Sequence, residues 1–119
     1  ERRCKLLDGS SFADLDPKIP DDLSELSKAF GKTPDSESRL TIALHIACHD
    51  PGAGAKRLLD VLKTAQVPFV RNEALSAISK LAGRKFPKVD PDRDASANAP
   101  GLQSIEKWIQ NTWAGKQEK

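Results

Sequence analysis

Proline and glycine cut this chain into short stretches at Pro20, Gly31, Pro34, Pro51, Pro68, Gly83 and Pro100, and within each stretch the apolar residues recur at spacings of three and four. That is the period of an α-helix with one buried face, so the chain is constrained to short amphipathic helices joined by tight breaks. Leu23, Leu26 and Phe30 follow Pro20-Asp21-Asp22, whose acidic residues suit a helix N-terminus, and Gly31 closes that helix. A second helix begins at Thr33-Pro34-Asp35, with Thr33 or Asp35 as its cap, and runs to Asp50, where Pro51 stops it. Leu40, Ala43, Leu44 and Ala47 form its stripe, widened by Ile42 and Ile46, which implies neighbours on two sides.

Gly52-Ala53-Gly54 reads as a turn, after which Leu58, Leu59, Val61, Leu62 and Ala65 make a third helix. Gln66-Val67-Pro68 breaks it. A fourth helix runs from about Pro68 to Ala82, with Val70, Ala74, Leu75, Ile78 and Leu81 inward and Gly83 at its end. Residues 84–100, RKFPKVDPDRDASANAP, hold three prolines and many small polar residues and read as an unusually long loop. A last helix from about Pro100 to Ala114 places Leu102, Ile105, Ile109 and Trp113 at helical spacing, with Trp108 beside them. Residues 1–19, with short apolar pairs Leu6-Leu7 and Phe12 with Leu15, form an arm or one short helix.

Composition agrees. Of 119 residues, 38% are hydrophobic and 30% charged, which suits one globular domain and excludes both a disordered chain and a membrane-spanning one. Tyr and Met are absent, so the core is built from Leu, Ile, Val and Ala, residues that favour helices. The net charge of +2 is uneven: residues 1–50 carry 7 Lys/Arg against 10 Asp/Glu, and residues 51–119 carry 12 against 7. Such a split can orient the protein on a charged partner, yet it falls far short of a dedicated nucleic-acid footprint. Two cysteines, Cys4 and Cys48, are too few for a disulfide framework; in an exported chain they can form one bridge to the N-terminal arm, and in the cytosol they remain a thiol and a small core residue.

The chain is also similar to itself. A shift of 32 residues pairs Leu26 with Leu58, Phe30 with Leu62, Arg39 with Arg71, Ile42 with Ala74, Ala43 with Leu75 and Ile46 with Ile78. Helices one and two then coincide with three and four. Arg71, in the first turn of an otherwise apolar helix, is a cation at the wrong end of a helix dipole and needs a reason to be there. The run V-R-N-E-A-L-S-A-I-S-K-L-A-G resembles the second helix of a HEAT repeat, in which a V-R pair follows a D-P turn and the arginine reaches to the neighbouring repeat. Thr33-Pro34-Asp35-Ser36-Glu37-Ser38-Arg39 resembles the same turn in a first repeat, whereas Gln66-Val67-Pro68-Phe69 departs from it by lacking the aspartate. L-A-G-R-K-F, a D-P loop and I-E-K-W-I-Q-N-T-W resemble the ending of bacterial HEAT-like (armadillo-type) proteins.

That resemblance covers residues 20–115. It implies an all-α fold: a short, right-handed α-α superhelix of hairpins at about 20–50 and 52–83, a loop at 84–99 and a C-terminal capping helix at 100–115, with residues 1–19 as an arm preceding a 20–119 repeat domain. Two repeats are marginal alone, so the expectation is a chain capped at both ends or a segment of a longer array. It also implies a non-catalytic scaffold or protein-interaction module with another protein as partner, and a periplasmic or otherwise exported location ahead of a cytoplasmic one. Arg39, His45, Arg71 and Asn72 are the candidate partner-binding residues.

Other chemistry is open to this sequence as an alternative. His45 and His49 stand at i and i+4 with Cys48 between them, the histidine spacing of H-E-x-x-H but without its glutamate, and the chain offers few further ligands. A metal- or haem-associated module at His45, Cys48 and His49 is therefore the alternative, not the expectation; on the repeat alignment His45 falls on the partly exposed side, and His49 suits a helix C-terminus. No cofactor is expected. Asp90, Asp92 and Asp94 alternate like the start of a calcium loop, but lack its glycine and distal glutamate. Lys80, Arg84, Lys85 and Lys88 cluster around the end of helix four, and Lys56, Arg57 and Lys63 lie on helix three; together they could grip phosphate and support a second alternative, a nucleic-acid-binding HEAT-like domain. Trp108 and Trp113 read as a core cap. No nucleophile elbow or phosphate loop points to an enzyme.

Overall fold

A computed structural model describes residues 23–86, 88–90, 92–93 and 96–113. Asp21 and Asp22, and the arm expected at 1–19, lie outside the described residues. Those described fold into five helices and no strand: α1 (Leu23–Lys32), α2 (Ser36–His49), α3 (Pro51–Thr64), α4 (Pro68–Ala82) and α5 (Ala99–Trp113).

The caps divide their work along the chain. Asp35 is the N-cap of α2, its carboxylate accepting from the Ser38 N–H at 2.9 Å, while Thr33 instead finishes α1 by donating its hydroxyl to the Ala29 carbonyl at 2.7 Å. Helix α2 packs on α1, α3 and α4, and α3 packs on α2, α4 and α5. This is why the buried arc of α2 covers Leu40 and every residue from Ile42 to Ala47, and why it shows little amphipathic contrast. Each Leu or Ile so buried contributes about 1.5–3 kcal/mol. The remaining core comes from Leu26 and Phe30 of α1, Leu58, Val61 and Leu62 of α3, Val70, Ala74 and Ile78 of α4, and Leu102, Ile105 and Ile109 of α5. In α4, Leu75 and Leu81 are only partly buried and Ala77 takes an inward place.

One junction differs from the sequence expectation. Gly52-Ala53-Gly54 is no turn but the first turn of α3, because a single residue, Asp50, serves both helices. Its backbone N–H closes α2 on the Ile46 carbonyl, and its carboxylate accepts from the N–H groups of Gly52 and Ala53 at 3.1 and 3.3 Å. Pro51, which cannot continue α2, is well suited to the first position of α3. Gly54 is needed for contact, since a Cβ there would lie 2.2 Å from the Ala47 Cα. Helix α5 packs chiefly on α3 rather than on the preceding helix α4. The long connection allows the return: α4 ends at Gly83 in the left-handed conformation (φ 71°), and Phe86 and Val89 plant the following segment in the core.

Gly54→Ala is expected to destabilise the fold by about 1–3 kcal/mol or more, because backbone cannot yield as a flexible side chain can. Gly31→Ala, where no neighbour lies within 4 Å, should stabilise by about 0.5–1 kcal/mol. Urea denaturation of the two variants checks both signs.

Candidate functional site

The two arginines singled out in the sequence, Arg39 and Arg71, are both used inside the molecule, whereas Lys80, Arg84, Lys85 and Lys88 are exposed. Arg39 leaves α2 at its first turns and donates from Nη2 to Asp60 Oδ2 on α3 at 2.7 Å, while its guanidinium carbon stands 4.2 Å from the centre of the Phe30 ring on α1. One side chain thus touches three helices. With Arg39 and Asp60 side chains 21% and 46% exposed, solvent screens the pair, and its worth is on the order of 1 kcal/mol; its geometric effect, fixing where α1 and α3 stand about α2, is the larger matter.

Arg71 is only 7% exposed. No carboxylate meets it among the described residues; its guanidinium donates to two main-chain carbonyls, that of Gln66 in the α3–α4 turn at 3.0 Å and that of Arg93 in the long connection. Asn98, 3% exposed, completes the arrangement from the other side: its amide nitrogen donates to the carbonyls of Asp90 and Arg93, and its oxygen accepts from the Asp90 N–H at 2.8 Å. The connection is therefore a shaped segment rather than a slack loop. Sequence reasoning missed Asn98 and Asp60 altogether. Asn98 offered no signal, whereas Asp60 offered a faint one, an acidic residue on an apolar helix 21 residues after the arginine it pairs with.

His45 is 2% exposed, on the buried side of α2 and not the partly exposed side expected from the repeat alignment, because α2 has neighbours around most of its circumference. Its Nδ1 bonds the Thr41 carbonyl at 2.8 Å, which requires the proton on Nδ1, and Nε2 is buried without a partner. His49 is exposed. Cys48 is disulfide-bonded; the other cysteine of the chain, Cys4, lies outside the described residues. So the three members of the possible metal constellation have different environments: one ring in the core, one in solvent and one sulfur already in a covalent bond. Among the described residues, no three His, Cys, Asp or Glu side chains come together as a metal would need. Of the acidic triplet, Asp94 lies outside the described residues, and Asp90 accepts from the Asp92 N–H and faces Arg93 at 3.6 Å.

The tryptophans join elements. Trp108 and Trp113 meet edge-on at 5.1 Å between ring centres, Trp108 also packs on Phe86 at 5.8 Å, and Trp113 lies against Gly52 in the first turn of α3. What remains open is an apolar knuckle at the start of α4, where Val67 is 49% and Phe69 45% exposed, with Asn72 exposed beside them. Of the four expected partner-binding residues, Asn72 is the exposed one; Arg39 is largely covered, and His45 and Arg71 are buried. No described helix is long and apolar enough to cross a membrane.

No protein-family model, curated protein or solved structure matches this chain.

Replacing Arg71 by Met should cost about 1–3 kcal/mol, since the Gln66 and Arg93 carbonyls lose a charged donor in a part-buried site. Hydrogen exchange read by mass spectrometry should show residues 88–93 opening in that variant, and also in Asn98→Ala, while α1 and α2 keep their protection.

Proposed function

We propose that this chain is a non-catalytic scaffold or protein-interaction module built from HEAT-like helical hairpins, α1–α2 and α3–α4, with α5 as the closing helix. The observation that carries this reading is the pair of arginines. Arg39 reaches from the first hairpin to Asp60, 21 residues ahead, and Arg71, its counterpart one repeat later, reaches to the carbonyl of Arg93, 22 residues ahead. A 32-residue shift carries Asp60 onto Asp92, the neighbour of that carbonyl. The packing order supports the same reading at two places: α2 lies on α4 and α3 on α5, as like-placed helices of successive units do in a stack, while α1 packs on α2. In this arrangement the segment after α4 and helix α5 stand where a third unit would begin.

In such a module the rigid core presents a surface and the partner supplies the chemistry. The partner-facing surface is the exposed start of α4, Val67, Phe69 and Asn72, an apolar patch with a polar neighbour suited to another protein. The disulfide at Cys48 suits an oxidising compartment, and with it an exported protein.

A photo-cross-linking residue in place of Asn72 tests the reading in cells of the source organism. It should trap one discrete protein, and the adduct should vanish when Phe69 is also changed to Ser; the same residue at exposed Gln110 of α5 should trap nothing of that size. Equal adducts from both positions, or an adduct indifferent to Phe69, would contradict the assignment.

A further inference from the structure

We propose that the cleft between the end of α4 and the first turns of α5 binds a small phosphate-bearing ligand, through Arg84, Lys85 and Lys88. This inference is independent of the repeat reading. The cleft holds about 280 Å³ and is lined by those three cations together with Phe86, Gly101 and Ser104, space for one or two phosphate groups and a few attached atoms.

Three observations carry it. First, the charge is unbalanced. The other clefts bearing lysines each include a carboxylate: Asp60 and Glu106 lie beside Lys56 and Lys63 in one, and Asp50 lies beside Lys56 and Arg57 in another. This cleft has three cations and no acid. Asp90, the nearest carboxylate in sequence, is turned to Arg93 and the Asp92 N–H. The first turn of α5 also has no acidic residue, so the positive end of that helix adds to the side-chain charges rather than offsetting them.

Second, the cationic segment is held in place. Phe86 is buried against Trp108, and the guanidinium of Arg84 sits 4.5 Å from the centre of the Phe86 ring. On the far side, the Lys88 carbonyl and Val89 press against Gly101 so closely that a Cβ there would lie 2.8 Å from that oxygen. A site whose backbone is fixed on both flanks loses less freedom on binding than a lysine tail would.

Third, the shape favours a compact anion over a nucleic-acid strand. The cations are gathered in one cleft rather than spread along a groove, and Phe86, the aromatic ring among them, is buried and covered by Arg84, which leaves no open face for a base to stack on. Arginine and lysine donors meeting phosphate oxygens form charge-assisted hydrogen bonds, the strong kind.

The test titrates the full chain with inorganic phosphate and with pyrophosphate at constant ionic strength, read by amide chemical shifts. Saturable shifts centred on Lys85, Lys88, Gly101 and Ser104 are expected. Lys85→Gln/Lys88→Gln, two exposed positions whose change leaves the core intact, should weaken binding by about tenfold, whereas Lys56→Gln/Lys63→Gln should leave it within about twofold. Non-saturating shifts scattered over all lysines, or equal losses in the two double variants, would overturn the site. Tighter binding of a short single-stranded oligonucleotide than of pyrophosphate, with a steep salt dependence, would overturn it in favour of an extended nucleic-acid surface.

Discussion

The contact between α2 and α3 governs how the rest of the molecule is arranged. Gly54 lies so close to the backbone of Ala47 that no side chain fits between them, and Asp50 ends one helix and begins the next without a linker residue. Helices brought together in this way leave little freedom in crossing angle or register, since close-packed interiors cannot take up small errors. Helices α2 and α3 then share the centre: α1 packs on α2, α4 on both, and α5 on α3.

Upon that apolar frame the buried polar groups act as locators. Arg39 sets α1 and α3 about α2 through Phe30 and Asp60. Arg71 and Asn98 take hold of the long connection from opposite sides and meet on the same Arg93 carbonyl. Among the described residues Arg71 meets carbonyls and no carboxylate, so its bonds fix where the connection lies, and removing them leaves those carbonyls without their charged donor. His45 has a similar balance, with one ring nitrogen satisfied within its own helix and the other left bare in the core.

The helices and most of their inward faces were legible in the sequence because period and punctuation are local properties, readable within a few turns of chain. Leu40, Leu44 and Ile46, or Leu58 and Leu62, needed nothing more. What escaped depends on residues distant in sequence. Two glycines around an alanine after a proline look like a turn until Ala47 is known to lie against Gly54. His45 looks half-exposed until α2 is known to have three neighbours. The connection at 84–98 looks slack because prolines and small polar residues have no period, while the side chains that shape it, Arg71 and Asn98, work through main-chain carbonyls that carry no sequence signature. Arg71 stood out as a cation at the wrong end of its helix, with Arg39 as its counterpart 32 residues earlier; their acceptors were not foreseen. Of the expected surface, only Asn72 lies open, because a cation chosen for its reach is also one that folding consumes.

The proposed interaction module requires a stack of hairpins rather than a closed bundle. Interhelical nuclear Overhauser contacts between methyl groups, recorded on the full chain in solution, test it most directly. The account predicts contacts joining α2 to α4 and α3 to α5, with α1 reporting chiefly on α2. A set of contacts joining α1 to α5 and closing the five helices into a ring would contradict it.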